Sequence, residues 1–217
     1  MASSKEVALE RCPGFTQELT VALGALRSGG AVVYPTETVY ALGVRAYGRD
    51  ALQRLVQLKV RAIGKPISVL VSDRSMLAEL VQEIPPPAER LMDHFWPGPL
   101  TLALPARPSV SEVLTGGTGT IGVRISSHPV AHELVTRLGE PLTTPSANPA
   151  GERPPTTVAA AEAYFGQQVA YYLDWGATAG EPTSTVAIVT KDVVRLVRHG
   201  AIGRDALAVV AGVPVTG

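Results

Sequence analysis

The sequence predicts an α/β (α+β) fold in which a mixed β-sheet is flanked by helices, and three observations predict it. Short apolar runs of strand length alternate with segments whose apolar residues recur at helical spacing. The last two apolar runs, 186–189 and 193–197, stand too close together for a crossover helix, so they are expected to pair as an antiparallel hairpin around Lys191-Asp192. The composition, 46% hydrophobic and 18% charged over 217 residues, suits a chain that buries a sizeable core.

Residues 1–14 carry charge without periodicity and end in Pro13-Gly14, which reads as a flexible N-terminal arm ahead of a single domain over 15–217. Thr16 is placed to cap a helix on which Leu19, Leu23 and Leu26 share a face, stopped by Gly29-Gly30. A buried strand over 31–34 follows. The pattern then gives a helix over 50–58, a strand over 67–71, and helical stretches near 75–81 and 87–94. Further strands are expected over 100–104, 121–125, 169–173 and the two hairpin runs. The Pro-rich patches at 85–87 and 149–155 are short enough to be loops.

Nineteen basic residues balance nineteen acidic ones, so no global field draws the chain to nucleic acid or an anionic membrane. Charge is nevertheless uneven. Between Arg45 and Arg74 lie Arg45, Arg49, Arg54, Lys59, Arg61, Lys65 and Arg74 against only Asp50 and Asp73, a local excess that calls for an anion. The lone Cys12 neither pairs within the chain nor builds a thiolate metal site, which points to a cytoplasmic protein. The N-terminus is too polar for a secretory signal, and no segment reaches the roughly 18 apolar residues of a membrane span.

Four segments mix small, hydroxyl and basic residues where apolar strands end. In 34–40, Pro35 ends a strand and Thr36, Glu37 and Thr38 crowd a turn, which equally reads as a turn followed by a helix cap. Lys59, Arg61 and Lys65 put three cations within seven residues, suited to a polyphosphate or, more plainly, to a solvated loop. In 118–124 an arginine, Arg124, alternates with apolar neighbours; a guanidinium on a sheet face is costly to desolvate unless an anion meets it. Thr143, Thr144, Ser146 and Asn148 offer hydroxyls and an amide that serve a ligand or ordinary Asx and Ser/Thr turns. His128 and His132 are four apart but have no evident third zinc ligand. No phosphate-binding GxxxxGK[ST] or post-strand GxGxxG motif is present; TGGTGT at 115–120 lacks the lysine.

Taken together and in order, VVYPTETVYALG, the K-x-R of Lys59 and Arg61 before KPISVLV, FWPGPLTL, TIGVRISSHP, TTPSANPAG and STVAIV resemble the YrdC/Sua5 family over residues 15–202. The resemblance implies a twisted, open, mixed sheet with a concave basic cavity. It implies the activity of the short-form threonylcarbamoyl-AMP synthases: L-threonine and bicarbonate form a carbamate that attacks ATP and expels pyrophosphate, yielding L-threonylcarbamoyladenylate for t6A modification of tRNA. Carried over position by position, Thr36, Arg124, Thr144 and Ser184 are implied to bind threonine. Arg61, Lys65, Thr120, Ser146, Asn148 and Arg198 are implied to contact ATP, with Lys59 and Arg61 the catalytic cations. Mg²⁺ is expected with ATP and no prosthetic group is expected. A separate threonylcarbamoyl transferase complex is the implied functional partner, and a tRNA contact is compatible with the basic cavity. Two alternatives compete: an RNA- or tRNA-binding module, and a paralogue that forms a related carbamoyl adenylate. Ala41, Lys65, Trp175 and His199 depart from the family pattern, and Trp175, a bulky indole in a glycine position, is expected to bear on the cavity rim.

Overall fold

In a computed structural model, residues 14–60 and 64–217 are described. Cys12, Arg61 and the arm expected before Gly14 lie outside the described residues.

The described residues open on helix α1 (Phe15–Arg27), which begins after Gly14 rather than on a Thr16 cap; Thr16 is its second residue. Phe15, Leu19, Ala22, Leu23 and Leu26 form its buried stripe, and Gly29 ends it in the left-handed region. Strands β1 (Val32–Pro35) and β2 (Tyr40–Gly43) follow as an antiparallel pair. Helix α2 (Arg49–Leu58) buries Ala51, Leu52, Leu55 and Leu58. Strand β3 (Val69–Leu70) leads to α3 (Arg74–Ala78), where the Asp73 carboxylate accepts from the Met76 N–H. Helix α4 (Pro86–Phe95) starts on prolines, which lack the N–H that a first turn leaves unbonded.

Strand β4 (Leu100–Pro105) is followed by the short α5 (Glu112–Thr115), strand β5 (Thr120–Arg124), helix α6 (Pro129–Leu138) and strand β6 (Leu142–Thr143). Helix α7 (Val158–Phe165), capped by the Thr157 hydroxyl, passes through a 3₁₀ turn to β7 (Tyr171–Tyr172). Strands β8 (Thr185–Val189) and β9 (Val194–Arg198) form the expected antiparallel hairpin, closed where the Thr190 N–H donates to the Val193 carbonyl (3.0 Å). Helix α8 (Arg204–Ala211) and β10 (Val215–Thr216) end the chain.

The strands form a three-stranded sheet, β2-β1-β7, and a seven-stranded sheet, β10-β9-β8-β4-β5-β3-β6, both mixed in direction. A seam of hydrogen bonds joins them where β2 meets the segment around β6. The Thr143 hydroxyl donates to the Leu42 carbonyl (3.1 Å) and accepts from the Val44 N–H (2.9 Å). The Tyr34 hydroxyl donates to the Thr143 carbonyl (2.9 Å), and the Arg45–Glu140 ion pair caps the line.

Two apolar cores flank β1, and its alternation assigns residues to each. Val33 packs with the larger core around Leu100, Leu102, Leu104, Ile121 and Val123. Val32 and Tyr34 pack with α1 and α6 through Leu19, Leu26, Val130 and Leu134. Strand β3 repeats the division with Val69 and Leu70. Buried on both faces, these strands read as continuous apolar runs.

Tyr34 is fully buried, so Tyr34→Phe abandons the Thr143 carbonyl at the seam and is expected to lower stability by about 1–2 kcal/mol in urea denaturation. An unchanged midpoint would show that the seam carries no such load.

Candidate active site

One face of the larger sheet is polar because three strands place their off-core residues on it. On β5, Ile121 and Val123 enter the core, so Thr120, Gly122 and Arg124 share the opposite face. On β4, Leu100, Leu102 and Leu104 enter the core and Thr101 faces the other way. A Cβ built on Gly122 would stand 3.2 Å from Ser68 Oγ and 3.3 Å from Thr101 Cγ2, so the glycine lets the cavity floor close tightly.

Strand β9 reaches this face differently. Val194 and Leu196 are core residues, and strict alternation would send Arg198 after them. A register shift intervenes: Val186 pairs with Arg198, whereas Ala187 pairs with Leu196. The extra residue, Val197, is 56% exposed, and the bulge turns Arg198 onto the polar face.

These residues line a cavity of about 330 Å³. Its walls carry Thr36 and Thr38 from the β1–β2 turn, Lys59 after α2, Arg124, Thr144 and Ser146 after β6, Ser184 before β8, and Arg198. Of the residues singled out from sequence, Lys59, Ser146, Arg198, Thr36, Arg124, Thr144 and Ser184 thus meet in one place. Asn148 is buried just behind; its side-chain amide donates to the carbonyls of Pro149 and Glu152 (both 2.8 Å) and braces the loop. Lys65 is exposed and Thr120 sits at the outer end of β5, bonded to the Thr118 hydroxyl (3.0 Å); neither lines the cavity. Ser68, Thr101, Glu181 and Thr183 line it without having been singled out. Ser68 and Thr101 carried a signal in the sequence, each being a lone hydroxyl inside an apolar run.

The three cations on the walls differ in how far they are satisfied. Lys59, 3% exposed, donates from Nζ to the main-chain carbonyls of Ser146 (2.6 Å) and Asn148. It thereby ties the end of α2 to the 144–150 loop. Arg198 donates from Nε to the Ser184 carbonyl (3.0 Å) and from Nη2 to the Ser184 hydroxyl (2.7 Å), so a residue implied to bind ATP holds one implied to bind threonine. Burial and, secondarily, the nearby Arg124 charge lower the Arg198 pKa.

Arg124 is 3% exposed, yet its Nε and Nη1 make no hydrogen bond among the described residues, and neither does the buried Thr144 hydroxyl. Unpaired buried donors of this kind are costly, and an incoming anion is what would satisfy them.

The family departures are accommodated. The Trp175 ring stacks edge-on against Phe15 (centroids 4.9 Å, 66°) and is not among the residues lining the cavity, contrary to the expectation that it would bear on the rim. The Trp175 main-chain N–H donates to the Tyr40 hydroxyl (3.2 Å), and Gly176 supplies the left-handed residue. Ala41 lines the cavity, and His199 is exposed. The PTET turn runs into β2, not into a helix cap. His128 precedes α6 and His132 lies on it; among the described residues no three His, Cys, Asp or Glu side chains gather to hold a metal ion. Among the same residues no helix is long and apolar enough to cross a membrane.

Replacing Lys59 by methionine removes the donor to two carbonyls. Lys59→Met is expected to lower stability by about 3 kcal/mol and to speed amide exchange at Ala147 and Ala150, whose N–H groups tie the loop to the Tyr40 and Lys59 carbonyls. Protection equal to wild type would show that the loop holds without the lysine.

The Sua5/YciO/YrdC family model, described as "Telomere recombination", matches residues 24–200. A threonylcarbamoyl-AMP synthase of Coxiella burnetii is 34% identical over 84% of this chain and 98% of its own length. One of Pyrococcus abyssi is 36% identical over 90% of this chain but only 57% of its own length, so the chain spans little more than half of that relative. The solved structure of P. abyssi Sua5 complexed with L-threonine superposes with a TM-score of 0.86 at 35% identity, covering 91% of this chain and 58% of that one. The chain belongs to the Sua5/YciO/YrdC family.

Proposed function

We propose that this chain synthesises L-threonylcarbamoyladenylate from L-threonine, bicarbonate and ATP, releasing pyrophosphate, as an enzyme of the nucleotidyltransferase type serving t6A modification of tRNA. The observation that carries this reading is the unfinished hydrogen bonding of Arg124 beside the free Thr144 hydroxyl, which fits an α-carboxylate. The relatives' names and the L-threonine complex of P. abyssi Sua5 support it and favour a synthase over an RNA-binding module.

The chemistry asks little of a protein nucleophile. The amine of threonine and bicarbonate give a carbamate with loss of water; a carbamate oxygen attacks the α-phosphorus, and the bond to the β-phosphate oxygen breaks as pyrophosphate leaves. The protein's task is to hold two anions in line and offset charge on the leaving group. In this reading Arg124, Thr144, Thr36 and Ser184 hold the amino acid, while Arg198 and Ser146 face the nucleotide, joined by Arg61 and Lys65, which follow Lys59 in the chain. Lys59 acts by fixing the Ser146–Asn148 carbonyls that shape the nucleotide wall. Mg²⁺ would arrive chelated by the phosphates and neutralise part of their charge. The adenylate is consumed by a separate transferase complex in the cytoplasm.

Pyrophosphate release from ATP with bicarbonate is expected to require L-threonine, with L-serine a weaker substitute; release independent of any amino acid would refute the proposal. Arg124→Lys keeps the charge but loses the fork, and is expected to raise the KM for L-threonine about ten- to a hundredfold with a smaller change for ATP. Arg61→Ala is expected to weaken ATP use at unchanged thermal stability. A variant that unfolds or stays fully active would remove Arg61 from the site.

A further inference from the structure

Arg124 has a carboxylate beside it that is not among the residues lining the cavity. Glu37 is the third residue of the Pro35–Thr38 turn. The Thr36 hydroxyl closes that turn by donating to the Val39 carbonyl (2.7 Å) and accepting from the Thr38 and Val39 N–H groups (both 3.3 Å). The closed turn sends the Glu37 side chain toward the end of β5, where it is only 15% exposed. Its Oε2 accepts from the Ser126 hydroxyl, and its Oε1 stands 3.5 Å from Arg124 Nη1 without a hydrogen bond among the described residues. Glu37 is not among the residues that line the cavity.

The surrounding groups feel these charges. Arg124 helps lower the pKa of Arg198, and Glu37 opposes the fall that burial imposes on His128. The cavity therefore has two unlike ends. At one, Arg124 is countered by a carboxylate; at the other, Arg198 is bonded to the neutral Ser184, and Glu181, the carboxylate among the lining residues, makes no ion pair with it. An Arg–Glu pair of zero net charge still offers directed N–H donors to the single carboxylate of a zwitterion. It gives little net attraction to a polyphosphate, whose affinity depends on uncompensated positive charge.

We propose that Glu37 is a specificity-determining residue that reserves the Arg124 end of the cavity for a singly charged carboxylate and turns polyphosphate away from it. The inference deepens the reading above, in which the amino acid lies on Arg124 and the phosphates on Arg198. Without Glu37, both arginines would present free charge to ATP and pyrophosphate, and the product anion would compete with the amino acid.

The test is calorimetric titration of inorganic pyrophosphate, and separately of L-threonine, into the wild type, Glu37→Gln and Glu37→Ala, without ATP. Glu37→Gln keeps the shape and an oxygen for Ser126 while removing the charge. Both Glu37 variants are expected to bind pyrophosphate about tenfold more tightly than the wild type. Ser126→Ala, which frees the carboxylate but keeps its charge, is expected to stay within about twofold of the wild type. In Glu37→Gln, saturating pyrophosphate is expected to block L-threonine, whereas the wild type binds both. Pyrophosphate affinity unchanged in the folded Glu37 variants, or raised equally by Ser126→Ala, would overturn the inference. Failure of the wild type to bind L-threonine would count against the proposed function, while the pyrophosphate titrations would still decide the role of Glu37.

Discussion

A guanidinium held at 3% exposure at the end of β5 is the constraint around which the rest of the site is arranged. Arg124 cannot be moved to solvent, because the alternation of β5 that buries Ile121 and Val123 in the core also places it on the opposite face. It cannot be left without compensation, because a buried charge lacking both a countercharge and hydrogen bonds is among the most costly features a fold can carry. The protein supplies part of what is needed through Glu37 and leaves Nε, Nη1 and the neighbouring Thr144 hydroxyl open. Affinity for an anion is thus built into the cost of the apo state.

The other walls are held by contacts that reach across the two sheets. Thr143 at the seam fixes where the 144–148 loop begins, and Lys59 holds that loop from the far side through two carbonyls. Gly200 holds the wall opposite: a Cβ there would meet the Thr183 carbonyl oxygen at 2.3 Å and the Thr185 nitrogen at 2.5 Å. The turn after β9 therefore packs directly on the backbone that presents Ser184. Hydroxyl and guanidinium groups positioned from rigid strand ends give the preorganisation that charge stabilisation requires.

Much of this was legible in the sequence, and what was not has physical causes. The apolar period of α2 and α4 and the hairpin of β8 and β9 follow from side-chain pattern, as does the placing of Arg124 on a sheet face. Strand β2 was not foreseen because all four of its residues are buried, which erases the alternation that marks a strand. Helix α7, VAAAEAYF, is alanine-rich and buries only Ala161 and Phe165, so its sequence shows little amphipathic stripe. Strands β3 and β7 fall inside the apolar runs expected over 67–71 and 169–173 but pair over only two residues each, whereas the two-residue strands β6 and β10 owe their existence to their neighbours rather than to local propensity. At the site, the alternation in VRLVR would send Arg198 to the core side, and only the register shift at Val197 reverses it. Lys59 reads in sequence as a free phosphate cation, whereas its ammonium is engaged by loop carbonyls, which no local pattern announces.

The measurement that bears most directly on the central claim is a crystal structure of the protein with L-threonine and a non-hydrolysable ATP analogue. The account predicts the amino acid's carboxylate within about 3 Å of Arg124 Nε and of the Thr144 hydroxyl, with the phosphates toward Arg198. Phosphate oxygens on Arg124, or an amino acid bound with its carboxylate turned away from it, would contradict the account.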